Sequence, residues 1–139
     1  MPVHHEAFTI DTAADGEVID VTDLAEKALA NSGISEGIAT LFIAHSTCAM
    51  TIIECEPGCN ADLNTVMGRI APESDRWEHN DRNADTNGHS HARAGIIGPS
   101  VTIPVTDAAL MLGVWQRAVC VDFDDRPRSR RLVVTVLGD

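Results

Sequence analysis

Six histidines stand in this 139-residue chain, and four of them, His45, His79, His89 and His91, are candidates for chemistry. His89 and His91 form an H-x-H pair in a polar stretch that also carries His79. In an extended backbone alternate side chains point the same way, so the pair would present two imidazoles together. Neutral imidazole is a common ligand for zinc and similar ions, so the pair with His79 could hold one divalent metal ion. The competing reading is a solvated loop with incidental histidines. His45 closes an apolar run and opens into Ser46-Thr47. A strand end holds a catalytic group rigidly, and the two hydroxyls could meet substrate oxygens. The alternative is a satisfied core histidine above a capped turn. His4 and His5 are expected to fray at the N-terminus.

Glu54 ends a second apolar run, where a carboxylate is either partly buried with a perturbed pKa or turned to solvent. Arg126, Arg128, Arg130 and Arg131 could clamp a phosphate, or they could line a solvated turn. The four cysteines, Cys48, Cys55, Cys59 and Cys120, include no C-x-x-C pair, which argues against a zinc knuckle. They are expected as reduced thiols. Cys48 lies three residues after His45 and is a weak nucleophile candidate.

These residues need a scaffold. A single domain over residues 1–139 is long enough to build its own core. The net charge of −11 argues against nucleic acid, which requires a basic face. No apolar run is long enough to cross a bilayer, so no membrane association is expected. With no targeting signal, the expected location is cytoplasmic.

Alternation predicts strands over 6–12 and 17–21. Thr22 is expected to cap a helix over 23–31 that stops at Asn31-Ser32-Gly33. The run 38–44 reads as a strand buried on both faces, and 49–53 as another strand. Pro57-Gly58 signals a turn, after which Asn60 is expected to cap a helix ended by Pro72, with Leu63, Val66, Met67 and Ile70 on one face. Residues 73–95 show no periodicity and read as one long polar loop. Strands follow over 101–105, 114–123 and 132–137, the last two joined as a hairpin at Asp125-Arg126-Pro127-Arg128. The pattern is α+β, mostly antiparallel sheet with two helices in the N-terminal half.

The stretches LFIAHST-CAMTIIE, NADTNGHSHARAGIIGPSVTIPV, LMLGVWQ and RRLVVTVLG closely resemble the YjbQ family, whose members are commonly named secondary thiamine-phosphate synthases. The resemblance runs from about residue 6 to the C-terminus. It implies an antiparallel α+β fold, a homotrimer, and a polar pocket where a metal ion, zinc or magnesium, is held. Carried over residue by residue, it implies His45, His79 and His91 as metal ligands, and His45 and Glu54 as catalytic groups. It matches Ser46, Thr47, Trp115 and Gln116 to substrate-binding positions; Arg130 and Arg131 join them as candidates from the arginine cluster. The implied substrate is a phosphorylated small molecule, and the implied reaction joins a pyrimidine methyl diphosphate to a thiazole phosphate. Two departures stand out. Ile53 replaces an Asn that many members carry, and Ala108-Ala109 stands where many have Gly before the LxLG segment.

Overall fold

The computed structural model describes residues 1–139. In chain order the elements are β1 (Val3–Thr12), β2 (Glu17–Asp20), α1 (Thr22–Ser32), β3 (Gly37–Ile43), β4 (Cys48–Ile53), α2 (Pro57–Ile70), α3 (Glu78–Asn83), α4 (Gly88–Ile97), β5 (Ser100–Thr106), β6 (Ala109–Leu110), β7 (Arg117–Asp122) and β8 (Arg128–Gly138). They form two sheets, a five-stranded one ordered β1-β8-β3-β5-β6 and a three-stranded one ordered β2-β7-β4. Every strand pair is antiparallel, so the α+β class stands.

The main core lies between the sheets. Leu41, Ile103, Val134 and Val136 enter it from the large sheet, Met50, Ala118 and Cys120 from the small one, and Ala25, Ala28 and Leu29 from α1. A second core covers the other face of the small sheet, where Ala49, Val119 and Val121 pack with Met67 of α2 and Ala94 of α4. Strand β7 is therefore the strand buried on both faces, from Ala118 to Asp122. The sequence assigned that role to β3, but β3 alternates, because no helix covers the outer face of its sheet. Phe42 remains 43% exposed and Ile38 40% exposed as a result.

Several expectations are corrected. The stretch 73–95 is not a loop: it holds α3 and most of α4, giving four helices rather than two. The face of α4 that is buried consists of Gly88, His89, Ser90 and Ala94, too small and polar to register as an apolar stripe. Gly88 is required there, because a Cβ would meet the Trp77 Cβ at 2.6 Å. The arginine-rich turn is no hairpin, since β7 and β8 lie in different sheets and the turn crosses between layers. Helix α1 is preceded by Val21, and the Thr22 hydroxyl instead accepts the Ala118 N–H at 2.9 Å. Helix α2 is capped by Glu56 rather than Asn60, with Pro57 at the first helical position. The strand expected from 114 begins only at Arg117. Asp107 and Ala108 make the two-residue β5–β6 turn with φ of 50° and 57°. That turn favours glycine, which accounts for the alanine at this point being a departure. No helix is long and apolar enough to cross a membrane.

Candidate functional site

His45 follows β3 and stays beside β8. Its main-chain neighbour Ala44 donates to the Arg131 carbonyl, and the His45 Nε2 accepts the Arg131 N–H at 2.8 Å. The imidazole thus stands in for a strand's main chain. An acceptor Nε2 has its lone pair in use, so the neutral ring carries its proton on Nδ1. Burial, followed by the charge of Arg130, lowers the His45 pKa, which keeps the ring neutral near pH 7. Nδ1 faces the Arg130 Nη1 at 3.4 Å, donor against donor.

Behind His45 lies a buried ionic network. Arg130 donates from Nε to Asp122 at 2.8 Å and from Nη2 to Asp122, Asp124 and Thr47. Thr47 donates in turn to Asp124, and Thr12 to Asp122. Thr47 is thus committed inside the protein, and Arg130 keeps only Nη1 free of an acceptor. The expectation that Thr47 and Arg130 bind substrate meets a hydroxyl and most of a guanidinium already engaged inside the protein. Burial alone would raise the Asp122 carboxyl, but hydrogen bonds from Arg130 and Thr12 outweigh it and hold it below the usual range. Asp124 behaves alike: burial pushes up, and Asn87, the Asp125 N–H, Arg130 and Arg128 more than reverse it.

The network reaches His79. Asn87 donates to Asp124 at 3.2 Å, which fixes its amide orientation and leaves its oxygen to accept from His79 Nε2 at 3.1 Å. A continuous hydrogen-bonded chain therefore runs His79–Asn87–Asp124–Arg130, and its Arg130 end stands beside His45. The His79 ring in turn stands 4.4 Å from the His91 ring, tilted by 50°.

Because α4 is helical, His89 and His91 diverge by about 200° around its axis rather than pointing together. His89 is 2% exposed, and its Nδ1 has no partner. His91 is half-buried and lines a cleft of about 330 Å³ with His45, Ser46, Cys48, Ala94, Gly95 and Pro99. Its ring makes no hydrogen bond to the protein, whereas His45 is locked. Cys48 is no nucleophile here: contact with the Cys120 thiol, then burial, pushes its pKa far up.

The expected three-histidine metal site does not assemble. The one group of three ligand atoms within 4.8 Å of one another is Glu54, Glu56 and Cys59, with no histidine in it. His45 offers no lone pair while it accepts from Arg131, and both His79 nitrogens face amide partners from Asn87 and Asn83. The donor set does not fit a divalent ion in this arrangement. Glu54 is exposed and lines neither cleft, so it is not brought to His45 as a base. Trp115 is 72% exposed, and Gln116 turns its amide oxygen to the Gly113 N–H at 2.8 Å; neither reaches the cleft. Arg131 is exposed and lines a second cleft with His45. Asn87, Asp122 and Asp124 were missed by sequence reasoning. The signal available was an Asp-x-Asp pair closing an apolar strand, answered by Arg128 and Arg130 at the same alternate spacing.

A family model described as UPF0047 protein YjbQ-like matches residues 6–139. The UPF0047 protein of Methanothermobacter thermautotrophicus is 36% identical over 140 residues, covering 99% of this chain and 94% of that protein. The one from Archaeoglobus fulgidus is 35% identical over 130 residues, covering 94% and 98%. Among solved structures, a YbjQ-like protein of unknown function from Sulfolobus solfataricus superposes with a TM-score of 0.94 at 33% identity, over 99% of both chains. These relatives overturn the thiamine-phosphate synthase expectation, since none of them is described by that activity and the Sulfolobus protein is one of unknown function. What the match over nearly the whole chain carries is membership: the chain belongs to the YjbQ-like UPF0047 family.

Proposed function

We propose that this protein is an enzyme that moves a proton on a small polar substrate, in the cleft between His45 and His91. One observation carries the reading. The two imidazoles on the walls of a single cleft differ in kind: His45 is held neutral with its proton on Nδ1, while His91 has both nitrogens free. A locked neutral imidazole is a fixed hydrogen-bond donor, suited to polarising a substrate oxygen. A free imidazole is suited to take up and return a proton. Ser46, exposed at the mouth, supplies a hydroxyl for orientation. The ring of His79 packs on His91 and limits its rotation.

The test is turnover of a mixed pool of small polar metabolites by the purified protein, followed by mass spectrometry. A compound consumed by the wild type should be consumed about 100- to 10,000-fold more slowly by His91→Ala, the range for loss of a positioned acid–base group. Equal turnover by both proteins removes His91 from the chemistry, and no turnover by the wild type removes the enzyme.

The assembly is proposed as a homotrimer. The outer face of the large sheet carries an apolar row, Val3, Leu137, Ile38 and Pro104, and a second, Ala7, Val133 and Phe42, beside a threonine row in which Thr40 and Thr102 are 3.0 Å apart. Apolar rows open to water on this scale favour burial against another copy. Sedimentation should give three times the 14.9 kDa chain mass, and a stable monomer would refute it. Four free thiols suit a reducing, cytoplasmic setting.

A further inference from the structure

Asn87 opens α4, and an asparagine there ordinarily caps the helix by accepting an N–H from its first turn. Here its side chain makes no such cap. The Asn80 side-chain oxygen, from α3, takes the Gly88 N–H at 2.9 Å instead. The Asn87 amide is thereby released, yet it is not turned to water, for the residue is 6% exposed. It lies between Asp124 and His79, with Nδ2 donating to Asp124 at 3.2 Å and Oδ1 3.1 Å from His79 Nε2. Arg128 and Arg130 keep Asp124 ionised, so its carboxylate can only accept and the amide cannot flip. Oδ1 likewise can only accept, so the neutral His79 ring carries its proton on Nε2. At the other edge of that ring the Asn83 Nδ2 approaches Nδ1 at 3.4 Å, which fits the same tautomer. The Asn87 carbonyl meanwhile accepts the His91 N–H at 3.3 Å. One residue thus holds the main chain of one histidine and the ring of the other, and the two rings stand 4.4 Å apart.

We infer that Asn87 is a positioning residue: it fixes the tautomer and ring plane of His79, and through that ring the angle of the His91 imidazole in the cleft. This role rests on the acid–base part proposed for His91 and names what keeps that imidazole aimed. The rival holder is Asp85, whose carboxylate stands 3.4 Å from the same Nε2. It is farther away than Asn87 Oδ1, and its side chain is 35% exposed, so water competes for it.

The experiment uses the whole protein at about pH 8, where an ordinary imidazole is neutral, and follows the ring nitrogens of His79 and His91 by NMR. The wild type should show His79 protonated on Nε2 alone; a proton on Nδ1 overturns the role without any variant. Asn87→Ala should give His79 a mixture of both tautomers and shift the His91 ring signals. Asp124 keeps the Asp125 N–H, Arg128 and Arg130 in that variant, so it should fold. Asn80→Ala strips a hydrogen bond from the same helix start and should leave both rings as in the wild type. Asp85→Ala should leave them so too. In a His79→Phe protein, which keeps a ring beside His91, adding Asn87→Ala should not move His91 further. Unchanged rings in Asn87→Ala overturn the role, as does an equal change in Asn80→Ala or a shift of His91 that persists in the His79→Phe background. A tautomer freed by Asp85→Ala and not by Asn87→Ala overturns it in favour of Asp85. For any compound the wild type consumes, Asn87→Ala should lower kcat about 10- to 100-fold with KM little changed, the cost of a misplaced group. An unchanged kcat in a protein whose rings have moved also overturns the role. Wild-type protein with the expected rings that consumes nothing sinks the acid–base reading alone.

Discussion

Arg130→Ala should cost about 3–5 kcal/mol of folding stability, the range for breaking a buried ion pair from one side. Arg130 is 4% exposed, and its two carboxylate partners, Asp122 and Asp124, are 0% and 2% exposed. The substitution removes three charge-assisted contacts and abandons Asp122 in the interior without its counter-ion. Stranding that charge is what costs, more than the attraction lost. The network also ties elements distant in sequence: Thr12 of β1, Thr47 after β3, Asn87 before α4 and the crossing between β7 and β8. Denaturant midpoints measure the effect. Arg126→Ala is the comparison, because Arg126 makes only solvent-exposed pairs, worth at most about 1 kcal/mol. Similar midpoints for the two variants would mean that the interior network contributes little.

Acidification should destabilise the protein in two stages. His45 and His89 both have pKa values lowered by burial, so the unfolded chain takes up their protons first. Their contribution is present above about pH 6.5, the unfolded value, and fades as pH falls toward the folded ones. Asp122 and Asp124 are depressed in the folded state, so their contribution is complete above about pH 4 and is lost as pH falls through their folded values. The sign is the same in both stages. Each group adds a slope of up to about 1.4 kcal/mol per pH unit within its window. Urea midpoints from neutral pH downward read this directly. A profile flat between about pH 6.5 and 4 eliminates the histidine stage, and one flat below about pH 4 eliminates the carboxylate stage.

The sheet strands were legible because β1 alternates and β3 and β7 are dense apolar runs, and these patterns survive in a single sequence, although only the burial of β3 shows that it alternates. The helices after Pro72 were not. Helix α4 buries a histidine, a serine, a glycine and an alanine, and such a face carries no apolar rhythm to detect. That miss propagated into the site: reading residues 89–91 as extended turned His89 toward His91, when a helix sends it inward. His45 was legible as a strand end. What no spacing reveals is that its ring takes a ladder position from β8, a contact 86 residues apart in sequence. That contact uses the lone pair a metal would need. The arginine cluster divided in a way alternation does foretell, with Arg130 inward and Arg131 outward on β8.

The rim of the large sheet carries a consequence for the protein's life in a crowded solution. Strand β1 spans ten residues and pairs on one side only, with β8, so its other side offers a row of main-chain groups to any passing strand. Such an edge is a template for runaway association. On its inner side sit His4 and Glu6, paired at 3.2 Å, with the Glu6 carboxylate also accepting from Asn31 of α1. A strand that tried to add here would have to desolvate that pair and displace the helix beside it. A carboxylate such as that of Glu6 turned inward is a known means of keeping an edge unattractive. The inward turn of these side chains makes the first strand a poor template for the addition of a foreign strand.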